Sequence, residues 1–323
     1  MERKLICDTG RELLEKGLVA RTWGNVSCRA DGDNILISPS GLDYLKTTEA
    51  DIVRYNISTG EWDGARKPSS EKGVHAAAYK MFPEVNFVVH THQTAASAIS
   101  LTGPDSFEIS DEEREALGGV AFAGYGLPGT EKLRSAVAEA MKTGAHTVFM
   151  KAHGVCVCGV SHDEVMERIA LLEEACKRNL KLDLSEVEPA DDAYIAEISE
   201  KLSAEFPHFG ITSKPECLAW AVKVKSLPAQ LDDMAQMLGV SVPGTPFDIE
   251  YAIKLLKRNA AVFMPGVGAV VRADDGDDVD ALKLLVEKAC VSALHTGAKG
   301  RLNIFDALLM RRVYLTKYSK QKG

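Results

Sequence analysis

A short apolar block in the middle of the chain recurs in its second half. Val148-Phe149-Met150 returns as Val262-Phe263-Met264, and the same offset of 114 positions relates Gly154 to Gly268. The same offset relates Glu173 to Glu287, Ala175 to Ala289 and Cys176 to Cys290, while Pro128-Gly129-Thr130 recurs as Pro243-Gly244-Thr245 at an offset of 115. Ordered blocks at a fixed offset are typical of a repeated supersecondary unit. We therefore predict a degenerate tandem repeat.

Short β-rich runs alternate with amphipathic segments along the first copy. The pattern predicts strands over 34–38 and 85–92, a β-rich run over 147–158, and helices over 3–18, 70–81, 131–141 and 163–180. A mixed order of this kind favours a three-layer α/β/α domain. The charged stretch 181–192 breaks the periodicity, so we predict a catalytic domain over 1–183 and a second copy of similar fold over 184–323.

Composition excludes several classes of function. The chain has 323 residues, a net charge of −8 and a pI near 5.6, which argues against a nucleic-acid-binding protein. No apolar run approaches the roughly 20 residues that span a bilayer, and the first residues do not resemble a signal peptide. Seven cysteines at irregular spacing favour reduced thiols. We expect a cytoplasmic protein that contacts no membrane.

Two histidines lie two positions apart in the apolar run Val88-Val89-His90-Thr91-His92. Because side chains alternate along a strand, both imidazoles point to the same face. His153, in Ala152-His153-Gly154, is the best candidate for the third protein ligand that a catalytic zinc site needs. The alternative is core histidines bonded to backbone. The repeat favours a metal, because His153 falls on Val267 and no His-x-His occurs in 190–260.

Three loops rich in glycine, serine and asparagine form a second candidate site. They are Gly24-Asn25-Val26-Ser27, Ser38-Pro39-Ser40-Gly41 and Lys67-Pro68-Ser69-Ser70-Glu71, the last of which precedes a predicted helix. Hydroxyls, backbone N–H groups and a helix N-terminus together can cradle a phosphate. The simpler interpretation of the third loop is a helix capped by Ser70. Glu71 would lie near both phosphate and metal, as a general acid or base does.

These motifs in this order (G-N-V-S, S-P-S-G, K-P-S-S-E, H-T-H and A-H-G-V) resemble the class II aldolase/adducin family, especially its fuculose-phosphate aldolase branch. The resemblance covers residues 4–180. It implies a zinc ion, or another divalent metal, bound by three histidines, a phosphate site, and an acid/base carboxylate. The implied metal ligands are His90, His92 and His153; the implied phosphate-binding residues are Asn25, Ser40, Gly41, Ser69 and Ser70; the implied carboxylate is Glu71.

The resemblance implies cleavage of a ketose 1-phosphate, of the fuculose or rhamnulose type, to dihydroxyacetone phosphate and an aldehyde through an enediolate. Related 4-epimerases carry aspartate at the position of Glu71, which favours an aldolase or a dehydratase. A 4-epimerase, a dehydratase, a decarboxylase and a non-catalytic adducin-like scaffold remain the alternatives. The tyrosine that this branch uses as a proton donor corresponds to about Ile109, so the acceptor sugar or the proton donor differs here.

Relatives of this kind are usually single-domain tetramers whose sites lie between subunits. The second copy could replace a neighbouring subunit within one chain. The resemblance therefore implies a homo-oligomer, with a dimer of two-domain chains that mimics a fourfold ring as the specific hypothesis.

Overall fold

A computed structural model describes residues 1–185, 187–246 and 248–316. The chain divides into two compact units, 1–179 and 180–316, so the division falls four residues before the boundary suggested by the sequence. The predicted end of the second domain, 317–323, lies outside the described residues. Among the described helices, none has both the length and the apolar character that crossing a bilayer requires.

The first unit is built around a sheet that has seven strands within the described residues. These are β1 (Asn25–Arg29), β2 (Asn34–Ile37), β3 (Val53–Asn56), β4 (Phe87–Thr91), β5 (Val120–Ala123), β6 (Thr147–Met150) and β7 (Gly154–Gly159). Their order is β3-β2-β1-β4-β7-β6-β5. Only the β5–β6 pair is parallel in this sheet, and short hairpin connections join β1 to β2 and β6 to β7.

Helices cover both faces of this sheet. They are α1 (Glu2–Glu15), α2 (Lys72–Met81), α3 (Thr94–Thr102), α4 (Asp111–Ala116), α5 (Glu131–Met141) and α6 (His162–Asn179), with single 3₁₀ turns at Glu49–Asp51 and Pro104–Ser106. Helices α2 and α5 pack with each other over one face, where their apolar side chains form the larger core. Helices α1, α3 and α6 also contact the strands but contribute no side chain to that core, and α3 packs on α6. The predicted α/β/α arrangement is therefore present in this unit.

In its described residues, the second unit contains five strands, which form a three-stranded sheet and a separate two-stranded one. Its strands are β8 (Phe209–Thr212), β9 (Leu227–Pro228), β10 (Ser241–Val242), β11 (Ala261–Met264) and β12 (Gly268–Arg272). Its helices are α7 (Asp192–Glu205), α8 (Pro215–Ala221), α9 (Asp232–Met237), α10 (Ile249–Leu256), α11 (Asp277–His295) and α12 (Ile304–Thr316). Strands β8, β12 and β11 form one sheet with β12 in the middle, and β9 pairs with β10.

Three strands of each unit share order, direction and register. In the hairpin β6–β7, Met150 pairs with Gly154, and in β11–β12, Met264 pairs with Gly268, which is the same offset at each end. The third strand, β4 in the first unit and β8 in the second, follows the same register. Thr91 of β4 pairs with Val155, and Thr212 of β8 pairs with Ala269. A Cβ on Gly154 would lie 2.2 Å from the Thr91 carbonyl oxygen, and a Cβ on Gly268 would lie 2.4 Å from that of Thr212. Both hairpins therefore require glycine for the same close approach.

One pair of matching sequence segments, 128–130 and 243–245, does not occupy equivalent positions in the two units. Thr130 caps the N-terminus of α5, whereas the matched segment 243–245 runs beside β11. Two backbone hydrogen bonds hold it there, since Thr245 donates to Phe263 and Phe263 donates to Pro243. Gly244 pairs with Phe263 in parallel, as Phe122 of β5 pairs with Phe149. The predicted equivalence of 128–130 and 243–245 was therefore wrong, because ladder hydrogen bonds and not the tripeptide place this segment.

Candidate metal and sugar-phosphate site

Three elements bring the histidines together. His90 lies on β4, His92 follows immediately after that strand, and His153 lies in the turn between β6 and β7. Ala152 takes a left-handed backbone conformation in this turn, and His153 donates its N–H to the Met150 carbonyl. Ladder pairing of β4 with β7 then places the turn beside the end of β4. The backbone thus delivers all three imidazoles to one end of the sheet, where they are buried.

The geometry of the three imidazoles fits a divalent metal ion. The ring centroids lie 4.6 to 4.9 Å apart, and one nitrogen from each ring lies within 4.8 Å of the other two. His90 Nε2 and His92 Nε2 are 2.9 Å apart. Zinc at 2.0–2.1 Å from each nitrogen in a tetrahedral site separates its ligands by about 3.3 Å. A small opening of this pair would therefore seat the ion.

Hydrogen bonding selects the tautomer of His90. Its Nδ1 lies 2.9 Å from the carbonyl oxygen of Val155, which only accepts, so Nδ1 carries the proton and donates. The Nε2 lone pair is then directed at the other histidines, as in protein metal sites where a backbone carbonyl orients a ligand. Burial also lowers the pKa of His90 well below its ordinary value, since the charged imidazolium is poorly solvated there. His90 is neutral and available as a ligand.

Glu71 lies against this triad. Its Oε1 is 2.7 Å from His153 Nε2, and its Oε2 is 3.1 Å from His90 Nε2. Burial alone would raise the pKa of Glu71, but the interactions with His153 and His90 outweigh it and hold the pKa well below its usual range. An ionised carboxylate beside three imidazole nitrogens provides negative charge and nitrogen ligands, both of which suit a divalent cation.

The loops predicted to bind phosphate meet through backbone pairing. Ser40 donates its N–H to the Lys67 carbonyl, and Ser69 donates to Ser38 across the Pro39–Pro68 bridge. The Ser69 hydroxyl accepts the N–H of Glu71, which connects this pair of loops to the carboxylate. Ser69 is buried, Ser40 and Gly41 are half-buried, and Ser70 is exposed at the surface of the same loop.

The start of helix α2 differs from the prediction. The helix begins at Lys72 with Glu71 as its N-cap residue, so Ser70 is not the cap. The bridge between Pro39 and Pro68 holds the chain extended, and Ser69 then makes the turn that precedes the helix. Both serines of Lys67-Pro68-Ser69-Ser70-Glu71 consequently lie before the helix N-terminus. In the first turn of α2, Lys72 donates its N–H to the Ser69 carbonyl and Val74 donates its N–H to the Glu71 carbonyl.

Asn25 connects the strands to the carboxylate. It pairs with His90 across the β1–β4 ladder, so the two side chains point to the same face of the sheet. Its side-chain amide donates to Glu71 Oε2 over 3.1 Å. Asn25, Glu71 and the triad are therefore brought together in the first unit.

Gly24 allows this approach of β1 to β4. Its φ is +74°, and a Cβ there would lie 2.6 Å from the His90 carbonyl oxygen. We expect Gly24→Ala to destabilise the metal-free protein by about 3 kcal/mol, through backbone strain together with the clash. Gly32→Ala is the matched control, since Gly32 has φ +54° with open space around its Cβ, and about 1 kcal/mol is expected. Urea unfolding measures both; equal losses would contradict the role of the clash.

Some residues of the site were not predicted from the sequence. His75, Ser27 and Tyr79 are fully or almost fully buried and lie behind Asn25 and Glu71. A signal was present, because Glu71, His75 and Tyr79 are spaced four apart and so lie along one face of a helix. The spacing does not reveal what that face contacts, and the contact with β1 appears only in the folded chain.

The structure combines an α/β/α fold with three buried histidines that could hold a metal ion, and comparison with known proteins identifies the family. Residues 4–180 match the model of the class II aldolase and adducin N-terminal domain. That match covers more than half of the chain, which therefore belongs to this family.

Relatives and solved structures support the same assignment. The chain is 32% identical over 176 residues to the 5-deoxy-D-ribulose 1-phosphate aldolase of Bacillus thuringiensis serovar kurstaki, covering 54% of this chain and 82% of the relative. It is 36% identical over 163 residues to the L-fuculose phosphate aldolase of Escherichia coli strain K12, covering 50% and 74%. A solved L-fuculose 1-phosphate aldolase aligns with a TM-score of 0.50 at 26% identity, covering 62% of this chain and 96% of that structure.

Proposed function

We propose that the protein is a zinc-dependent aldolase that cleaves a ketose 1-phosphate to dihydroxyacetone phosphate and an aldehyde. The observation that carries the proposal is the convergence of His90, His92 and His153 beside the ionised carboxylate of Glu71. Relatives that act on 5-deoxyribulose and fuculose phosphates support the substrate class. Zinc is the metal best suited to three imidazole nitrogens with an open fourth position.

The side chains have separable roles in this reaction. A divalent cation bound by the three histidines would supply Lewis-acid stabilisation of the negative charge that develops on the substrate oxygens. Asn25, Ser40, Gly41, Ser69 and Ser70 would bind the phosphate through hydroxyls, an amide and backbone N–H groups. In the condensation direction, the Glu71 carboxylate takes a proton from the donor carbon of dihydroxyacetone phosphate. In the cleavage direction it returns that proton once the C3–C4 bond has broken.

A second enzyme on this scaffold, a 4-epimerase or a dehydratase, is the principal competing function. Related 4-epimerases carry aspartate at the position of Glu71. The glutamate found here therefore favours aldol cleavage or dehydration over epimerisation. A non-catalytic scaffold is disfavoured because the buried histidines and Glu71 are all retained with mutually compatible geometry.

We also propose that the second unit is a degenerate aldolase-like copy without metal ligands. The shared register supports this, because it aligns His90 with Ile211, His92 with Ser213 and His153 with Val267. A second support is the Phe-Pro pair that ends the preceding helix in both units: Phe82 and Phe206 each cap the helix C-terminus through the same backbone hydrogen bond. The copy starts at the counterpart of α2, so it also lacks the loops of β1 and β2.

One experiment tests these proposals together. The purified protein, loaded with zinc, is offered fuculose, rhamnulose, ribulose and methylthioribulose 1-phosphates and ribulose 5-phosphate, and the products are identified. Release of dihydroxyacetone phosphate, with one zinc per chain, is expected. Failure of all these substrates while zinc is bound would overturn the sugar-phosphate function, and two zinc ions per chain would overturn the metal-free second copy.

A further inference from the structure

A buried chain of hydrogen bonds extends from Glu71 into the core, away from the histidine triad. Asn25 donates to Glu71 Oε2, and His75 Nε2 is hydrogen-bonded to Asn25 Oδ1. His75 Nδ1 lies 2.6 Å from the Ser27 hydroxyl, which lies 2.9 Å from the Tyr79 hydroxyl. His75 and Ser27 are fully buried, and Asn25 and Tyr79 are nearly so. None of these contacts is explained by metal binding.

The donors and acceptors of this chain run in one direction. A carboxylate only accepts, so Asn25 must turn its NH₂ toward Glu71 and its Oδ1 toward His75. His75 Nε2 must then carry the proton, which leaves Nδ1 as an acceptor. Ser27 therefore donates to Nδ1 and accepts from Tyr79. Every hydrogen bond from Tyr79 to Glu71 points toward the carboxylate.

We propose that His75 is a positioning residue, which holds the amide of Asn25 with its NH₂ facing Glu71 and the phosphate site. The NH₂ group has two protons, so one can remain on Glu71 while the second is directed to the substrate. Without His75, the Oδ1 of Asn25 would be a buried acceptor with no fixed donor, and the amide could rotate. This inference rests on the proposed function, because it assigns His75 to the same reaction.

The surroundings of His75 keep it in the required form. Burial lowers its pKa to about 4, so the imidazole is neutral at the pH at which the enzyme would work. A protonated imidazole would also place an N–H against the Ser27 hydroxyl and reverse that hydrogen bond. The neutral ring with its proton on Nε2 satisfies both neighbours, which a buried polar network must do.

The test compares three substitutions. His75→Gln keeps an amide donor that reaches Asn25, whereas His75→Asn is polar but shorter, and Tyr79→Phe removes only the outermost donor. We expect His75→Asn to lower kcat/KM by roughly 10- to 100-fold with a raised KM for the sugar phosphate, as expected when a hydrogen bond that orients a binding residue is lost. His75→Gln should retain most of the original kcat/KM, and Tyr79→Phe should leave kcat/KM nearly unchanged. Zinc content should not change in any of them, since none supplies a ligand.

A purely structural role predicts a different result. Misfolding would lower the active fraction, and hence the apparent kcat, with the KM unchanged and no advantage of glutamine over asparagine; that outcome would overturn the proposal. A second measurement does not depend on turnover. Nitrogen-15 NMR of histidine-labelled, metal-free protein, with His75 assigned by the signal lost in His75→Gln, should show the proton on Nε2. A proton on Nδ1 would overturn the inference even if the aldolase function holds, and if no substrate turns over, the tautomer still tests it alone.

Discussion

Replacement of His92 by alanine is expected to remove bound zinc and turnover together. His92 supplies one of three nitrogens that lie within 4.8 Å of one another, and its Nε2 is 2.9 Å from that of His90. Two ligands do not close a catalytic zinc site, which uses three protein ligands and one open position. We expect zinc affinity to fall by more than 100-fold and kcat/KM to fall by about 10³-fold or more at limiting metal.

Metal content after dialysis, measured by atomic emission, and turnover in the same sample check this prediction. His162→Ala is the matched control: it makes the same substitution at a partly exposed histidine that contacts Asp163 and lies outside the triad. It should keep zinc and activity. A His92→Ala protein that retains one zinc per chain with near-normal turnover would exclude His92 as a ligand.

The triad was predictable from sequence because its signals are local. Strand alternation puts His90 and His92 on one face, and the Ala-His-Gly turn marks His153. The structure refines this only slightly, since β4 ends at Thr91 and His92 follows it. Convergence with His153 needed the pairing of β4 with β7, which the sequence alone does not specify. The resemblance to a known family implied the convergence of the three histidines on one metal ion, but not the strand pairing that produces it.

Helix α3 shows where pattern analysis fails. Its sequence Thr-Ala-Ala-Ser-Ala-Ile-Ser-Leu-Thr has small or apolar residues on every side, and most of it is buried. A helix covered on all sides lacks the polar stripe that produces a period of 3.6 residues. No helix was therefore predicted over 94–102. A different limitation hid the role of His75, because its contacts with Asn25 and Ser27 of β1 form only in the folded chain.

The identities within the repeat differ in how much structural information they carry. The identities at an offset of 114 fall on the β6–β7 and β11–β12 hairpins, where Gly154 and Gly268 face the same steric demand. The tripeptide 243–245 misled, because proline, glycine and threonine suit many turns and specify no partner strand. Identity that arises from a close contact thus carries structural information, while identity of turn residues carries little.

Glu71→Gln is expected to keep the zinc and lose the chemistry. Glutamine is nearly isosteric with glutamate, and it leaves the three histidine nitrogens in place. It cannot accept or return a proton at the donor carbon, so kcat should fall by about 10²- to 10⁴-fold, the range that general acid–base catalysis contributes. The KM for the sugar phosphate should change by less, since Asn25, Ser69 and the loop backbone remain.

Steady-state kinetics on the substrate found active, with zinc content measured in parallel, check the prediction. Glu173→Gln is the control, because Glu173 is another carboxylate that accepts backbone N–H groups, those of Ala95 and Ala96 at the start of α3. It should alter stability more than kcat. The contrast with His92→Ala separates the two roles in the site, since one variant loses the ion and the other only the proton transfer. Full activity of Glu71→Gln with zinc bound would remove Glu71 from the mechanism and leave the acid/base group to another part of the pocket.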